Sequence, residues 1–332
     1  MYNDEDLNQA VEAGIFTDDS VTKFKTHIAH LKNTSMADEE NFRLITGFND
    51  IFVVIASGLL LASIAFLGYH LSPMLGTIGV AIASWLLAEF FVVKRRMALP
   101  AIMLLLTFLG GVFATPLVNY QQPSEIPFLV AGLLSAFAAV LHWKRFRVPI
   151  TVAAGVAALS SSMIAVILAV FPSAVGWVNG LLLGVGLAIF GLAMYWDASD
   201  RNRQTRSSDV AFWLHLAAAP LIVHPIFTSL GVLQGVGGVS VSLVVLGLYV
   251  LLAAISIAVD RRAIMVSALV YVIYAFSTLL ETYGMVSYSF AITGLCIGAT
   301  LLLLSAFWQV SRRQILKVLP AQVQGLLPDA QS

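Results

Sequence analysis

The chain has 332 residues, of which 59% are hydrophobic and only 11% are charged, and its mean hydropathy is +0.90. So little polar surface excludes a water-soluble globule and indicates a protein whose solvent is lipid. The formal net charge is +0, and we expect no nucleic acid among the partners.

Residues 1–48 form a polar segment without the apolar core of a cleavable signal peptide. Asp6 to Ala13 has a helical composition, Gly14 interrupts it, and Thr17 begins a second helix. Ser35 to Glu40 is expected to form the acidic N-terminal turn of a helix that leads into the first span. The second helix is amphipathic and basic, with Val21, Phe24, Ile28 and Leu31 on one face and Lys23, Lys25, His27, His30 and Lys32 over much of the rest. We expect this helix to lie on lipid headgroups or to fold back on the protein, and binding of a protein partner is the alternative.

Ten apolar runs follow, each close to the length of about 20 residues that a helix needs to cross a bilayer. They predict an all-α transmembrane bundle over residues 49–311 and a tail over residues 312–332. The runs are Ile51–Tyr69, Met74–Val93, Met97–Val118, Ile126–Leu141, Val148–Phe171, Ala174–Trp196, Val210–Leu230, Ser240–Val259, Ala263–Leu280 and Tyr288–Trp308.

All 18 basic residues fall on one side of the membrane if ten spans are counted. Because short loops rich in Lys and Arg stay in the cytoplasm, both termini are expected to be cytoplasmic. We expect these cations to face anionic lipid headgroups. They are Lys23, Lys25, Lys32, Arg43, Lys94, Arg95, Arg96, Lys144, Arg145, Arg147, Arg201, Arg203, Arg206, Arg261, Arg262, Arg312, Arg313 and Lys317.

The basic clusters recur every roughly 50 to 60 residues, near Lys94, Lys144, Arg201, Arg261 and Arg312. A repeated two-helix hairpin produces such a spacing. The positive-inside rule acting on ten helices of ordinary length also produces it, and from sequence we favour this second explanation.

Ionisable residues inside a span are costly and usually face the bundle or a cavity. Glu89 in the second span and His215 in the seventh lie at similar depths toward the cytoplasmic ends, so we consider them a proton-handling couple. The alternative is that Glu89 reaches toward Lys94 or Arg95 while His215 binds a backbone carbonyl.

A second polar set lies toward the opposite ends of the spans and comprises Asn179, His224 and Glu281. Pro220 and Pro225 bracket His224, and each removes a backbone donor and can kink the helix. Interrupted helices at membrane depth are where transporters expose backbone to substrate, so this set is a candidate substrate or proton pathway. A simple interhelical hydrogen bond from His224 is the alternative.

Signatures of catalysis, metal binding and phosphate binding are missing from the sequence. The Gly-rich turn at residues 235–238 precedes no Lys-Ser or Lys-Thr pair. His215 and His224 point to opposite sides of their helix, so one metal cannot bind both. The lone Cys296 excludes an intrachain disulfide. We predict no catalytic residue, no cofactor and no metal.

Small residues at helical spacing indicate faces where helices approach closely, and two such stripes are Gly180–Gly184–Ala188 and Gly294–Gly298. Tryptophans near the ends of the spans fit an aromatic belt at the membrane interfaces. They are Trp143, Trp177, Trp196 and Trp308.

Two stretches, AVEAGIFTDDSVTKF (Ala10–Phe24) and DVAFWLHLAAAPLIVHP (Asp209–Pro225), resemble a broad group of uncharacterised bacterial multi-pass membrane proteins. The resemblance implies a bacterial inner membrane and carries no activity. The span count and orientation are also similar to those of the drug and metabolite transporter superfamily, which is built from two five-helix halves in inverted orientation. The segment of residues 1–48 departs from that compact form.

Two classes of function follow. The first is a secondary transporter or permease for a small molecule or lipid, and the second is a non-transporting sensor, scaffold or assembly factor that acts through its N-terminal helices. A mid-membrane cavity lined by the polar residues would favour the first class, and exposed apolar surface on the N-terminal helices would favour the second. An enzyme is the least favoured class.

Overall fold

The computed structural model of the chain describes residues 4–32, 48–120, 124–201, 203, 205–232, 238–284, 288–325 and 327–328. Across these ranges the chain is helical and has no strand, and ten of the described helices are long and apolar enough to cross a membrane. The prediction of an all-α, multi-pass bundle is confirmed. The predicted turn at Ser35–Glu40 and the residues Arg43, Gly235 and Gly237 lie outside the described residues.

The N-terminal helices are α1 (Asp4–Glu12) and α2 (Asp18–Lys32), separated at Gly14, whose φ is 71°. The spanning helices α3 to α12 follow. They are Phe48–Leu71, Pro73–Ala88 with a π-helical continuation Glu89–Lys94, Ala98–Leu117, Ile126–Phe146, Ile150–Val170, Val178–Ser199 after a 3₁₀ turn Pro172–Trp177, Arg206–Ser229, Val239–Val259, Ala263–Thr282 and Ser289–Ala306. The C-terminal helices are α13 (Trp308–Val318) and α14 (Ala321–Gln324).

The spans form a row of hairpins. Helices α3, α5, α7, α9 and α11 pack side by side in that order, and the intervening helices pack against their hairpin neighbours. Burial follows this arrangement, because α3 and α12 at the two ends are each 11% buried while the central α9 is 56% buried. The seventh span, α9, therefore contacts the most protein and the least lipid.

The turns at the cation-rich ends of the row share an unusual backbone geometry. In the part of the chain described, each of the four turns that follow α4, α6, α8 and α10 has one non-glycine residue in the left-handed region, two or three residues before the next helix. They are Arg96 (φ 52°), Arg147 (φ 52°), Arg203 (φ 53°) and Asp260 (φ 61°). The positive-inside rule governs charge and not backbone geometry. A left-handed residue after a helix C-terminus is a standard cap, so the shared turn fits both explanations of the recurring basic clusters.

Close helix approach occurs at other glycines than those predicted. A Cβ on Gly132 of α6 would lie 2.4 Å from the Ala158 carbonyl oxygen of α7, whereas a Cβ on Gly180, Gly184, Gly294 or Gly298 would meet nothing within 4 Å. At these four glycines the predicted stripes therefore make no close contact with the described part of the chain. A stripe of small residues marks a face of a helix but does not specify which neighbour, if any, contacts it.

Substituting Gly132→Ala should lower the thermal unfolding temperature, because the added methyl overlaps α7, at a cost of about 1–3 kcal/mol for overpacking. The matched change Gly184→Ala meets open space and gains helix propensity, so it should unfold at or above the wild-type temperature. Thermal unfolding of purified protein in detergent measures both, and an equal effect of the two changes would contradict the packing.

Candidate functional site

A buried cluster of charged side chains lies at the cation-rich ends of helices α8 to α11, beneath α13. Its members come from two interhelical turns and from three helices, α8, α9 and α13, and none has more than 5% of its surface exposed. Burial of charges on this scale is costly unless each is paired. The ionic cluster comprises Asp197, Arg203, His215, Asp260, Arg261 and Arg312.

Asp197, near the end of α8, organises one half of the ionic cluster. Its Oδ1 accepts a hydrogen bond from Arg261 Nη2 at 2.6 Å, and its Oδ2 lies 2.8 Å from His215 Nε2. The Arg261 guanidinium also donates to the backbone carbonyl and hydroxyl of Ser208, at 3.1 and 3.2 Å. One carboxylate thus connects α8, α9 and the turn before α11 through charge-assisted hydrogen bonds.

Asp260 organises the other half from its left-handed turn. Its Oδ2 accepts from Arg203 Nη1 at 3.0 Å and lies 3.6 Å from Arg312 Nη1, while its Oδ1 accepts from the Trp308 indole at 2.6 Å. Arg312 also donates to the Pro328 carbonyl at 2.6 Å. Part of the segment predicted as a tail is therefore packed onto the ends of the spans.

In the ionic cluster, three guanidinium groups face two carboxylates. Burial and the neighbouring Arg261 charge lower the pKa of Arg203 from its ordinary value, and the carboxylates of Asp260 and Asp197 oppose this shift. Because a guanidinium remains protonated even in protein interiors, Arg203 keeps its charge and needs these carboxylates.

Burial corrects part of the expectation for the basic residues. Arg203, Arg261 and Arg312 do not face lipid headgroups but point into the protein toward aspartates. The charge of a loop predicts its side of the membrane and not the direction of each side chain. Asp197 and Asp260 were not among the site residues predicted from the sequence. Each is an acidic residue that lies near basic residues at the end of an apolar run, and this pattern could have indicated an ion pair.

Glu89 and His215 do not pair with each other. The Glu89 carboxylate accepts two hydrogen bonds from Arg145, from Nε at 2.8 Å and from Nη2 at 2.6 Å, and His215 binds Asp197. The predicted couple was wrong because depth gives one coordinate only, and Glu89 follows α4, two hairpins away from α9 in the row. The alternative partners Lys94 and Arg95 were also not the ones found.

The second predicted set is exposed and is not joined into one cluster. His224 Nδ1 lies 2.5 Å from the hydroxyl of Tyr271 on α11, and its Nε2 lies 3.4 Å from the Thr228 hydroxyl. Glu281 accepts a hydrogen bond from Ser289 at 3.3 Å, and Asn179 is exposed near the start of α8. Among the described residues no hydrogen bond connects any two of Asn179, His224 and Glu281.

Two clefts lie at the cation-rich ends of the helices. One, of about 480 Å³, is lined by Arg201, Arg313, Lys317, Leu316, Gln324 and Pro328 among others. The other, of about 360 Å³, is lined by Trp143, Lys144, Arg147, Trp196, Arg206, Ser207 and Val210. Both are basic, so both favour an anionic ligand over a cationic one.

The described side chains contain no group of three or more His, Cys, Asp or Glu residues arranged for a metal ion. Comparison with family models, with curated proteins and with solved structures gives no significant match. The fold itself defines the class of protein, which is a multi-pass integral membrane protein with ten apolar helices of spanning length in the described ranges.

Substituting Asp197→Asn leaves Arg261 buried without its carboxylate, so we expect a loss of about 3–5 kcal/mol in the free energy of unfolding. The matched change Glu89→Gln breaks the more exposed pair with Arg145 and should cost at most about 1 kcal/mol. Chemical or thermal unfolding in detergent measures the difference.

A double substitution Asp197→Asn with Arg261→Met removes both charges and should recover part of the stability lost by Asp197→Asn alone. Unfolding of Asp197→Asn at the wild-type temperature would contradict the role given to the ionic cluster.

Proposed function

We propose that the protein is a secondary transporter or permease for a small molecule or a lipid. The observation that carries the proposal is the build of α9, which is the most buried of the described spans and contains Pro220 and Pro225 within its helix. Each proline removes the hydrogen bond to the carbonyl four residues earlier, at residues 216 and 221. With His224, these carbonyls are uncommon polar groups at membrane depth, where transporters bind substrate.

The distribution of polar groups along α9 also supports transport. At the cation-rich end, His215 is enclosed in the ionic cluster, and the helix ends there are tied together. Toward the other end, His224 is exposed, and its ring nitrogens lie within hydrogen-bonding distance of the Tyr271 and Thr228 hydroxyls. A permease closed on one side and accessible from the other has this asymmetry, and breakage of the Asp197–Arg261 and Asp260–Arg203 pairs would open the closed side.

A specific observation favours a second candidate, a non-transporting sensor, scaffold or assembly factor. Ile15, Phe16 and Phe24 on and beside the N-terminal helices are 71%, 48% and 52% exposed. Exposed apolar side chains grouped in one small module mark an interaction surface. In this candidate the partner is a protein that binds α1 and α2, while in the first the same surface rests on lipid headgroups.

The transport proposal predicts water access at His224, Asn179 and Glu281. Single cysteines introduced as His224→Cys, Asn179→Cys and Glu281→Cys in a Cys296→Ser background should react with a membrane-impermeant maleimide added on the side opposite the cations. The matched control is Val244→Cys. Val244 is 49% exposed, and both Val244 and His224 lie five residues from the end of their helix that is opposite the cations. It should remain unreactive because an apolar exposed residue at that depth faces lipid.

Reaction at all three positions supports a pathway, and uptake or export of labelled small molecules should then be lost with His224→Ala and kept with Val244→Ala. Unreactive cysteine at position 224 would overturn the pathway and favour the protein-binding candidate.

For orientation, we propose that the cation-rich ends and both termini lie in the cytoplasm of a bacterial inner membrane, because the basic residues collect on that side. Alkaline phosphatase fused after Tyr120 should be active, whereas phosphatase fused after Arg147 should be inactive. The reverse pattern of activities would invert the assigned orientation.

A further inference from the structure

The cleft of about 360 Å³ between two hairpins is built from both of them. Trp143, Lys144 and Arg147 come from the end of α6 and its turn, while Trp196 lies near the end of α8 and Arg206 begins α9. We name it the tryptophan cleft. We infer that the tryptophan cleft binds a phosphate group carried by an anionic phospholipid, and this inference does not depend on the proposed transport.

The charge of the tryptophan cleft is one-sided. Lys144, Arg147 and Arg206 line it, and no acidic side chain is among the lining residues that the structure describes. The neighbouring cation Arg145, in contrast, is neutralised by Glu89. No described carboxylate forms an ion pair with Lys144 or Arg147. Lys144 and Arg147 therefore give their side of the cleft a positive potential that an anion can satisfy.

The walls of the tryptophan cleft place it at the level of the headgroups. Trp143 and Trp196 are partly buried and pack against the apolar core of α7, α8 and α9, so their rings are fixed. Tryptophan concentrates at the membrane interface, where one side of the ring is apolar and the other is wet. An acyl chain along the apolar side and a phosphate at the basic side satisfy both parts of this surface.

The two arginines suit a phosphodiester. A guanidinium presents a planar set of donors that matches phosphate oxygens, and Arg147 and Arg206 approach the cleft from different hairpins. The left-handed turn at Arg147, with a φ of 52°, sets the direction of the chain at the rim. A bound lipid would therefore bridge α6 to α9. The volume of about 360 Å³ suits a headgroup with its glycerol better than a bare ion.

The test compares brominated phosphatidylglycerol with brominated phosphatidylcholine as quenchers of tryptophan fluorescence in lipid bilayers. Wild-type protein should prefer the anionic lipid. The double change Lys144→Gln with Arg147→Gln should reduce that preference by a factor of about ten or more, because both charge-assisted contacts with the phosphate are lost. The control change Lys94→Gln with Arg95→Gln removes the same charge from another exposed turn and should retain the preference.

Further variants show which tryptophans are quenched by the bound lipid. Trp143→Phe and Trp196→Phe should each remove part of the anionic-lipid-dependent quenching. If the double variant fails to fold, Lys144→Gln alone carries the same test, with a smaller loss of preference because one of the two contacts is lost.

Inorganic phosphate, added at millimolar concentration, separates the two sources of the anion. If it does not displace phosphatidylglycerol from the cleft, the result supports a lipid site. Saturable binding of free phosphate that needs Lys144 and Arg147 would assign the cleft to a soluble ligand and overturn the lipid. Equal quenching by both lipids, or equal loss in the control variant, would overturn the site.

Discussion

The pairing of Asp197 with Arg261 is the interaction that holds together the cation-rich ends of α8 and α9 and the turn before α11. A charge moved out of water costs several kcal/mol unless an opposite charge and further hydrogen bonds meet it. Asp197 and Asp260 meet this requirement only when α8, α9, α10 and α13 end at the same level and in one arrangement. Apolar contacts alone discriminate weakly between arrangements of the spans, because lipid and leucine are equally apolar partners. The buried charges supply the register that hydrophobicity does not.

The row of hairpins determines which residues can cooperate. Helix α9 lies centrally in the row, between α7 and α11, and carries α8 against it. It joins the two polar regions of the C-terminal half, His215 in the ionic cluster and His224 beside Tyr271. Glu89 and Arg145 belong to another part of the row and bind each other. The polar groups most relevant to function therefore lie in α8 to α11, and the clefts next to this group of helices are basic.

The sequence predicted the ten spans, their ends to within one or two turns and the alternation of basic and non-basic turns between them. These depend on hydropathy and on counting charges, which are local properties. The furthest departure is the fourth span, which extends to Phe146 beyond the predicted Leu141. The same reasoning could not predict which helices lie next to each other in the plane of the membrane. Depth along a helix placed Glu89 near His215, but the rotation and neighbours of each helix gave Glu89 to Arg145 and His215 to Asp197. Glycine spacing failed for the same reason, since Gly132 packs and Gly184 does not.

Two of the left-handed turns meet in the ionic cluster. Arg203 and Asp260 occupy equivalent places in neighbouring turns, and their side chains pair at 3.0 Å. If hairpins arose by duplication, identical copies would set arginine against arginine at this seam. A change to aspartate in one copy converts repulsion into attraction and gives each unit a distinct neighbour. Because a unit of two spans returns the chain to the same side, such growth preserves the topology of everything downstream. In such an array, the pair of Arg203 and Asp260 makes one hairpin differ from its neighbour. The order of the hairpins in the row is then no longer interchangeable.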